Sequence, residues 1–200
     1  MYDRALPIYT ETLELMKAKL PATHPNIDVV MVNFGIVYLD AKQPAKAILL
    51  FEEHLARERQ SKVTDSALAN RLSILGTRLL AADQFVKAEE YLGECLKLRS
   101  VTQPDAWGTF HTQSLLGAAL QGRNQSKEAE QHLHAGYEGL MKRESKIPAA
   151  SRTRLPEAVD RLIAFYQAVK QPDDVAKWRT ERAKYPAEMA PLPRWKEVAG

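Results

Sequence analysis

The sequence predicts an all-α chain, an open stack of about nine helices arranged as antiparallel pairs. Two observations carry this. Gly35, Gly76 and Gly117 recur every 41 residues, and twelve residues after each comes an alanine: Ala47, Ala88 and Ala129. Bulky apolar residues keep the same phase, at the helical spacings of three and four that build one stripe.

The phased positions define each element. One residue before each glycine stands Phe34, Leu75 or Leu116, and three after it stands Tyr38, Leu79 or Leu120. Four residues beyond each alanine stands Phe51, Leu92 or Leu133. A small residue in mid-helix costs propensity, so its recurrence points to a neighbouring helix approaching closely there. Polar interruptions at 40–44, 82–84, 123–126 and 170–173 read as short turns between the helices of a pair. Pro44 and Pro172 fall at the first turn of a second helix, where proline breaks no hydrogen bond.

A leading half-unit, Ala5, Tyr9 and Leu13, continues the register backwards by 42 residues. A trailing unit with Leu162, Ile163, Tyr166 and Val175 continues it forwards after an interval of 46. The five extra residues fall around 145–154. First helices are therefore expected near 26–41, 65–82, 104–121 and 153–169. Second helices are expected near 2–19, 44–60, 85–99, 125–143 and 172–184. The repeats so defined are 26–60, 65–99, 104–143 and 153–184 after the half-repeat 2–19. Pro186, Pro191 and Pro193 mark 186–200 as an extended tail.

Composition fits this reading. The chain has 200 residues, 45% hydrophobic and 26% charged, ordinary values for a folded domain. A formal charge of +3 is too small for nucleic-acid binding, which needs a concentrated basic face. The apolar runs 29–32 and 48–51 fall far short of the ~20 residues a membrane span needs. The single cysteine, Cys95, excludes an internal disulfide framework, and the default expectation is a cytoplasmic chain.

The order of aromatic or Leu, Gly, two residues, Tyr or Leu, then Ala and a bulky group resembles the tetratricopeptide repeat. The 41–42-residue period is similar to its kinesin-light-chain-like subclass, and Leu20-Pro-Ala-Thr-His-Pro-Asn26 resembles that subclass's inter-repeat loop. The blocks Gln103-Pro-Asp-Ala-Trp107 and Ala176-Lys-Trp-Arg179 look like repeat arrays of large bacterial proteins, some of them appended to serine/threonine kinases. The resemblance implies a right-handed superhelix over 1–185 whose first helices line a concave, peptide-binding groove. It also implies paired asparagines that hold ligand backbone. Those positions read Val32-Asn33, Ser73-Ile74, Ser114-Leu115 and Asp160-Arg161, of which only Asn33 matches.

Helical phase places Val29, Asn33, Asn70, Ser73, His111, Ser114, Gln121, Asp160, Arg161 and Gln167 on the groove, with Ile36 and Leu80 as apolar contacts. Amides and small polar groups can pair with a ligand's backbone. His132 and His134 are two apart and project to different faces, so they do not chelate together, and H-E-x-x-H is absent. No nucleophile elbow, phosphate loop or kinase signature occurs. No catalytic group and no cofactor is expected. Cys95, seven residues after Ala88, reads as a buried inert thiol. Trp107 and Trp178 read as packing residues, and Trp195 as either a cap on the last helix or a partner anchor. The basic run 142–154 reads as a solvated loop or an acidic-partner patch.

The expected function is a non-catalytic protein-interaction scaffold for a peptide or protein segment. The alternative is a regulatory segment of a larger bacterial protein such as a kinase, binding an effector or its own polypeptide. The stripe Leu6, Tyr9, Leu13 and Met16 lacks a preceding helix, so self-association through 2–19 is expected, with a neighbouring helix supplied by a parent protein.

Overall fold

Alanine and leucine stripes interrupted by short polar turns give nine α-helices among the described residues, with no strand. The computed structural model describes residues 2–61 and 63–185. Two compact units divide the chain. The first, Met1–Thr102, holds α1 (Tyr2–Lys19), α2 (Pro25–Asp40), α3 (Pro44–Gln60), α4 (Asp65–Leu80) and α5 (Phe85–Thr102). The second, Gln103–Gly200, holds α6 (Trp107–Gly122), α7 (Ser126–Met141), α8 (Arg154–Ala168) and α9 (Pro172–Arg182). The principal packing partners are α2 with α3, α4 with α5, α6 with α7 and α8 with α9. First helices also touch within each unit, α2 against α4 and α6 against α8.

The small residues sit where the helices approach. A Cβ added to Gly35 would lie 2.2 Å from Phe51, one on Gly76 2.8 Å from Leu92, and one on Gly117 2.7 Å from Leu133. These are the three bulky partners that the phase assigns. Ala47, Ala88 and Ala129 are fully buried opposite them. The second unit adds two contacts of the same kind from α7. A Cβ on Gly136 would strike the Ser114 backbone at 2.5 Å, and one on Gly139 the Phe110 ring at 1.9 Å.

The turn within each pair is the same structure four times. Lys42, Asp83, Asn124 and Lys170 adopt left-handed φ values of 60°, 58°, 61° and 59°. A glutamine follows each, and the amides of Gln43, Gln84, Gln125 and Gln171 donate to the carbonyls of Tyr38, Leu79, Leu120 and Tyr166 at 2.8–3.0 Å. This is a Schellman cap, which satisfies the last carbonyls of the first helix. The same glutamines' carbonyls accept from Ala47, Ala88, Ala129 and Val175, starting the second helix. The longer connection before α8 contains two 3-10 turns, Glu144–Lys146 and Ala149–Ser151, with Ile147 buried between them.

One expectation is corrected here. The stripe on α1 is covered by its own chain: Leu13 is 7% exposed, and Leu6, Tyr9 and Met16 pack against Ile27, Met31 and Phe34 of α2. The Tyr9 and Phe34 rings stack at 5.4 Å, and Phe34 and Tyr38 at 4.3 Å. The apolar residues of α1 that do face outward are Ile8 and Leu15. In the basic run, several side chains have partners within the chain. Arg143 pairs with Asp105 and lies over the Phe110 ring at 4.0 Å, and Arg154 pairs with Glu157 at 3.0 Å. Trp195 and the three tail prolines lie outside the described residues.

Candidate functional site

A concavity in the first unit opens between α2 and α4, with α3 as its floor. It has a volume of about 290 Å³ and is lined by Pro25, Asp28, Val29, Val32, Asn33, His54, Glu58, Arg71, Ile74 and Leu75. Val29 and Ile74 are exposed apolar groups at its rim. Asn33 is exposed beside them.

The floor is polar where the equivalent floors of the other repeats are small. Seven residues after each phased alanine stand His54, Cys95 and Gly136. Cys95 is fully buried and its thiol meets the Ala69 carbonyl at 3.1 Å. His54, 2% exposed, instead turns Nδ1 to Asp28 Oδ1 at 3.2 Å. Arg57 Nε donates to the same oxygen at 2.8 Å. Burial pushes the Asp28 carboxyl up, but the hydrogen bonds from Arg57 and His54, with their charges, outweigh it and hold it below the usual carboxylate range. Glu58 accepts from Arg71 Nε through Oε1 at 3.0 Å. Its second oxygen, Oε2, and His54 Nε2 are buried without a hydrogen-bond partner. A buried acceptor left unmatched costs more than a matched one contributes, so such groups need an explanation.

The sequence-predicted groove residues divide by unit. In the first, Asn33 reaches the concavity, while Asn70 accepts from Arg99 Nη2 at 2.8 Å. Ser73 is half-buried and its carbonyl takes the Thr77 hydroxyl at 2.7 Å. In the second, Ser114 is fully buried and its hydroxyl accepts from Arg161 Nη1 at 3.2 Å. Arg161 also faces Glu157 at 3.4 Å; burial lowers its pKa while the Glu157 charge opposes that shift. His111 is buried beside Trp107, Gln121 donates to the Ala164 carbonyl at 3.3 Å, and Asp160 accepts from Arg182 at 2.8 Å. Gln167 is exposed. Ser114 and Arg161 are thus brought together, as a packing contact between α6 and α8 rather than a surface.

His134 is no metal ligand here: its Nε2 lies 2.8 Å from the Tyr166 hydroxyl, which donates onward to Glu130 at 2.7 Å. Among the described residues no His, Cys, Asp and Glu group is arranged to hold a metal ion. Trp178 is buried against His134 and Tyr137, with centroids at 5.4 and 5.0 Å. His54, Glu58, Asp28 and Arg71 fall outside the sequence expectations, which rest on the groove-facing phase of the first helices. The available signal is a histidine standing at the register position of Cys95 and Gly136.

No family model matches the chain, and no curated protein matches it. Solved structures do. TPR-like repeats from a protein named as a kinesin light chain of Podosopora anserina align at 16% identity with a TM-score of 0.69. The alignment covers 92% of this chain and 86% of that one. The fold is a TPR-like helical repeat. BtubC (BKLC) from P. vanneervenii aligns at 16% identity and TM-score 0.65, covering 91% of this chain and 72% of that one. MamA aligns at 16% identity and TM-score 0.53, covering 92% of each. At this identity the resemblance is one of backbone geometry. Among the described residues no helix is long and apolar enough to cross a membrane.

Proposed function

We propose that this chain is a non-catalytic protein-interaction scaffold that takes an extended peptide along the first helices of its TPR-like pairs, at the α2–α4 face. The observation that carries this is the concavity itself, which combines exposed apolar rim groups with an exposed amide and the polar side chains of Asp28, His54, Glu58 and Arg71 among its lining. That mixture suits a ligand presenting both side chains and backbone polar groups. The corresponding polar groups of α6 and α8 are spent on each other, which favours the first unit over the second.

Selection of a random linear-peptide library against the full chain tests the proposal. Peptides recovered by selection should shift the amides of Val29, Asn33 and Ile74 in a heteronuclear titration. Shifts confined to α3 and α5 would overturn the groove, and failure to recover any peptide would count against the scaffold.

A further inference from the structure

One stripe recurs in phase along the second helices of the first unit. On α1 it reads Arg4, Ile8, Glu11 and Leu15. On α3 it reads Lys46, Leu50, Glu53 and Arg57, and on α5 Lys87, Tyr91, Glu94 and Leu98. Spacings of four, three and four put each set on one side of its helix. The order of base, bulky apolar group and acid is kept in all three.

On α3 and α5 the stripe is a seam with the preceding helices. Leu50 packs into the cluster of Leu13, Ile27, Met31 and Phe34, while Glu53 accepts from Lys17 of α1 at 2.6 Å. Arg57 reaches Asp28 of α2 at 2.8 Å. On α5, Tyr91 is 2% exposed, Lys87 pairs with Glu52 of α3 at 2.7 Å, and Glu94 with Arg59 of α3 at 2.8 Å. Lys46 meets no acid, since Thr10 holds the register position of Glu52, and it lies over the Tyr38 ring at 5.4 Å. Glu52 precedes Arg59 by seven residues, as Lys87 precedes Glu94, so these two helices run parallel with acid facing base at both bridges. On α1 the same stripe faces solvent. Ile8 is 63% and Leu15 46% exposed, and the exposed Arg4 and Glu11 form no ion pair among the described residues.

We propose that the outer face of α1 docks an amphipathic helix of a partner protein, seated parallel to α1. That helix carries an acid for Arg4, a base seven residues later for Glu11, and apolar groups between them for Ile8 and Leu15. Charge order selects this occupant, because complementary pairs fix register and orientation at an interface. A second copy could set Arg4 against Glu11 only by running antiparallel. The crossing would then centre between Pro7 and Ile8 and leave Leu15 bare, whereas a parallel partner engages all four residues. The face is separate from the α2–α4 concavity, so the proposal stands apart from the peptide-groove reading.

The probe is a capped peptide of this chain's own residues 44–60, which presents Glu52 and Arg59 in the required order. A free helix of this length is only marginally stable, so the ¹⁵N-labelled full chain is titrated to millimolar peptide at low salt. The amides of Arg4, Ile8, Glu11 and Leu15 should shift saturably. A peptide with Glu52→Arg and Arg59→Glu exchanged should bind about fivefold more weakly, the worth of two exposed ion pairs. The chain carrying Arg4→Glu with Glu11→Arg should reverse that preference. Ile8→Glu, at an exposed position that leaves the core intact, should abolish binding. Equal affinity for the two peptides would overturn the charge register, and no saturable shift with either would overturn the docking face. Shifts confined to Val29, Asn33 and Ile74 would move the peptide to the concavity and overturn it as well. Dimerisation of the wild type in sedimentation, lost in Ile8→Glu, would give the face to a second copy and end the partner assignment.

Discussion

Gly35 lies beneath Phe51 so closely that a single added carbon would sit 2.2 Å from the ring's Cε1. Phe51 is fully enclosed and has nowhere to retreat. The same geometry holds at Gly76, where a Cβ would meet Leu92 Cγ at 2.8 Å. Gly76→Leu should therefore overpack the α4–α5 crossing and cost roughly 1–3 kcal/mol in urea unfolding. Gly93 gives the opposite expectation, since a Cβ there would meet nothing within 4 Å. Gly93→Ala should raise stability by about 0.5–1 kcal/mol through helix propensity alone. An unchanged midpoint for Gly76→Leu, or a loss for Gly93→Ala, would contradict this packing.

The turn residues carry the second prediction. Lys42 and Lys170 hold φ near 60°, a conformation that costs a side-chain-bearing residue about 1–2 kcal/mol, while Asp83 and Asn124 tolerate it better. Glycine removes that cost but adds chain entropy to the unfolded state. Lys170→Gly and Lys42→Gly should each gain a few tenths to about 1 kcal/mol, and Asn124→Gly should change little. Thermal unfolding of the three variants in parallel checks the order. Equal responses would show that the cap does not depend on the left-handed residue.

The fold is legible in the sequence because its determinants are local and repeated. Close crossings demand Gly and Ala at a fixed phase, and the phase survives even where the fourth pair replaces glycine by Ile163 and inserts two 3-10 turns. The candidate site is less legible for the same reason. Repeat phase identifies which residues face the core, so it places Ser114 on the groove when that residue is in fact fully buried against Arg161. Which polar groups are already satisfied depends on contacts between helices far apart in sequence, such as Asn70 with Arg99 or His54 with Asp28. Nothing in the spacing of Asn33, Asn70 and Ser73 reveals which of them is left open. The partial covering of Leu6 and Tyr9 is likewise a matter of side-chain reach, since Tyr9 stacks on Phe34 and Phe34 on Tyr38.

Asp28 supplies the last prediction, because one carboxylate oxygen serves both Arg57 at 2.8 Å and His54 at 3.2 Å. Those partners hold its folded-state pKa below its ordinary value despite the opposing effect of burial. A depressed carboxyl pKa contributes stability that is fully present above the unfolded value of about 3.9, and that stability is lost as pH falls through the lower folded value. The side chain is 25% exposed, so solvent tempers the effect. Asp28→Asn should destabilise the first unit by about 1 kcal/mol at pH 7, the worth of a charge-assisted hydrogen bond reduced for exposure. The difference from wild type should shrink toward zero as pH falls through the lowered folded value, where the native carboxyl is itself protonated. All three tryptophans lie beyond residue 102, so fluorescence does not report on this unit. Amide exchange in α2 and α3, followed in both proteins from about pH 7 down through the protonation of the native carboxyl, does. A gap between wild type and Asp28→Asn that stays constant over that range would mean the aspartate acts by shape, and the ionic assignment would fall.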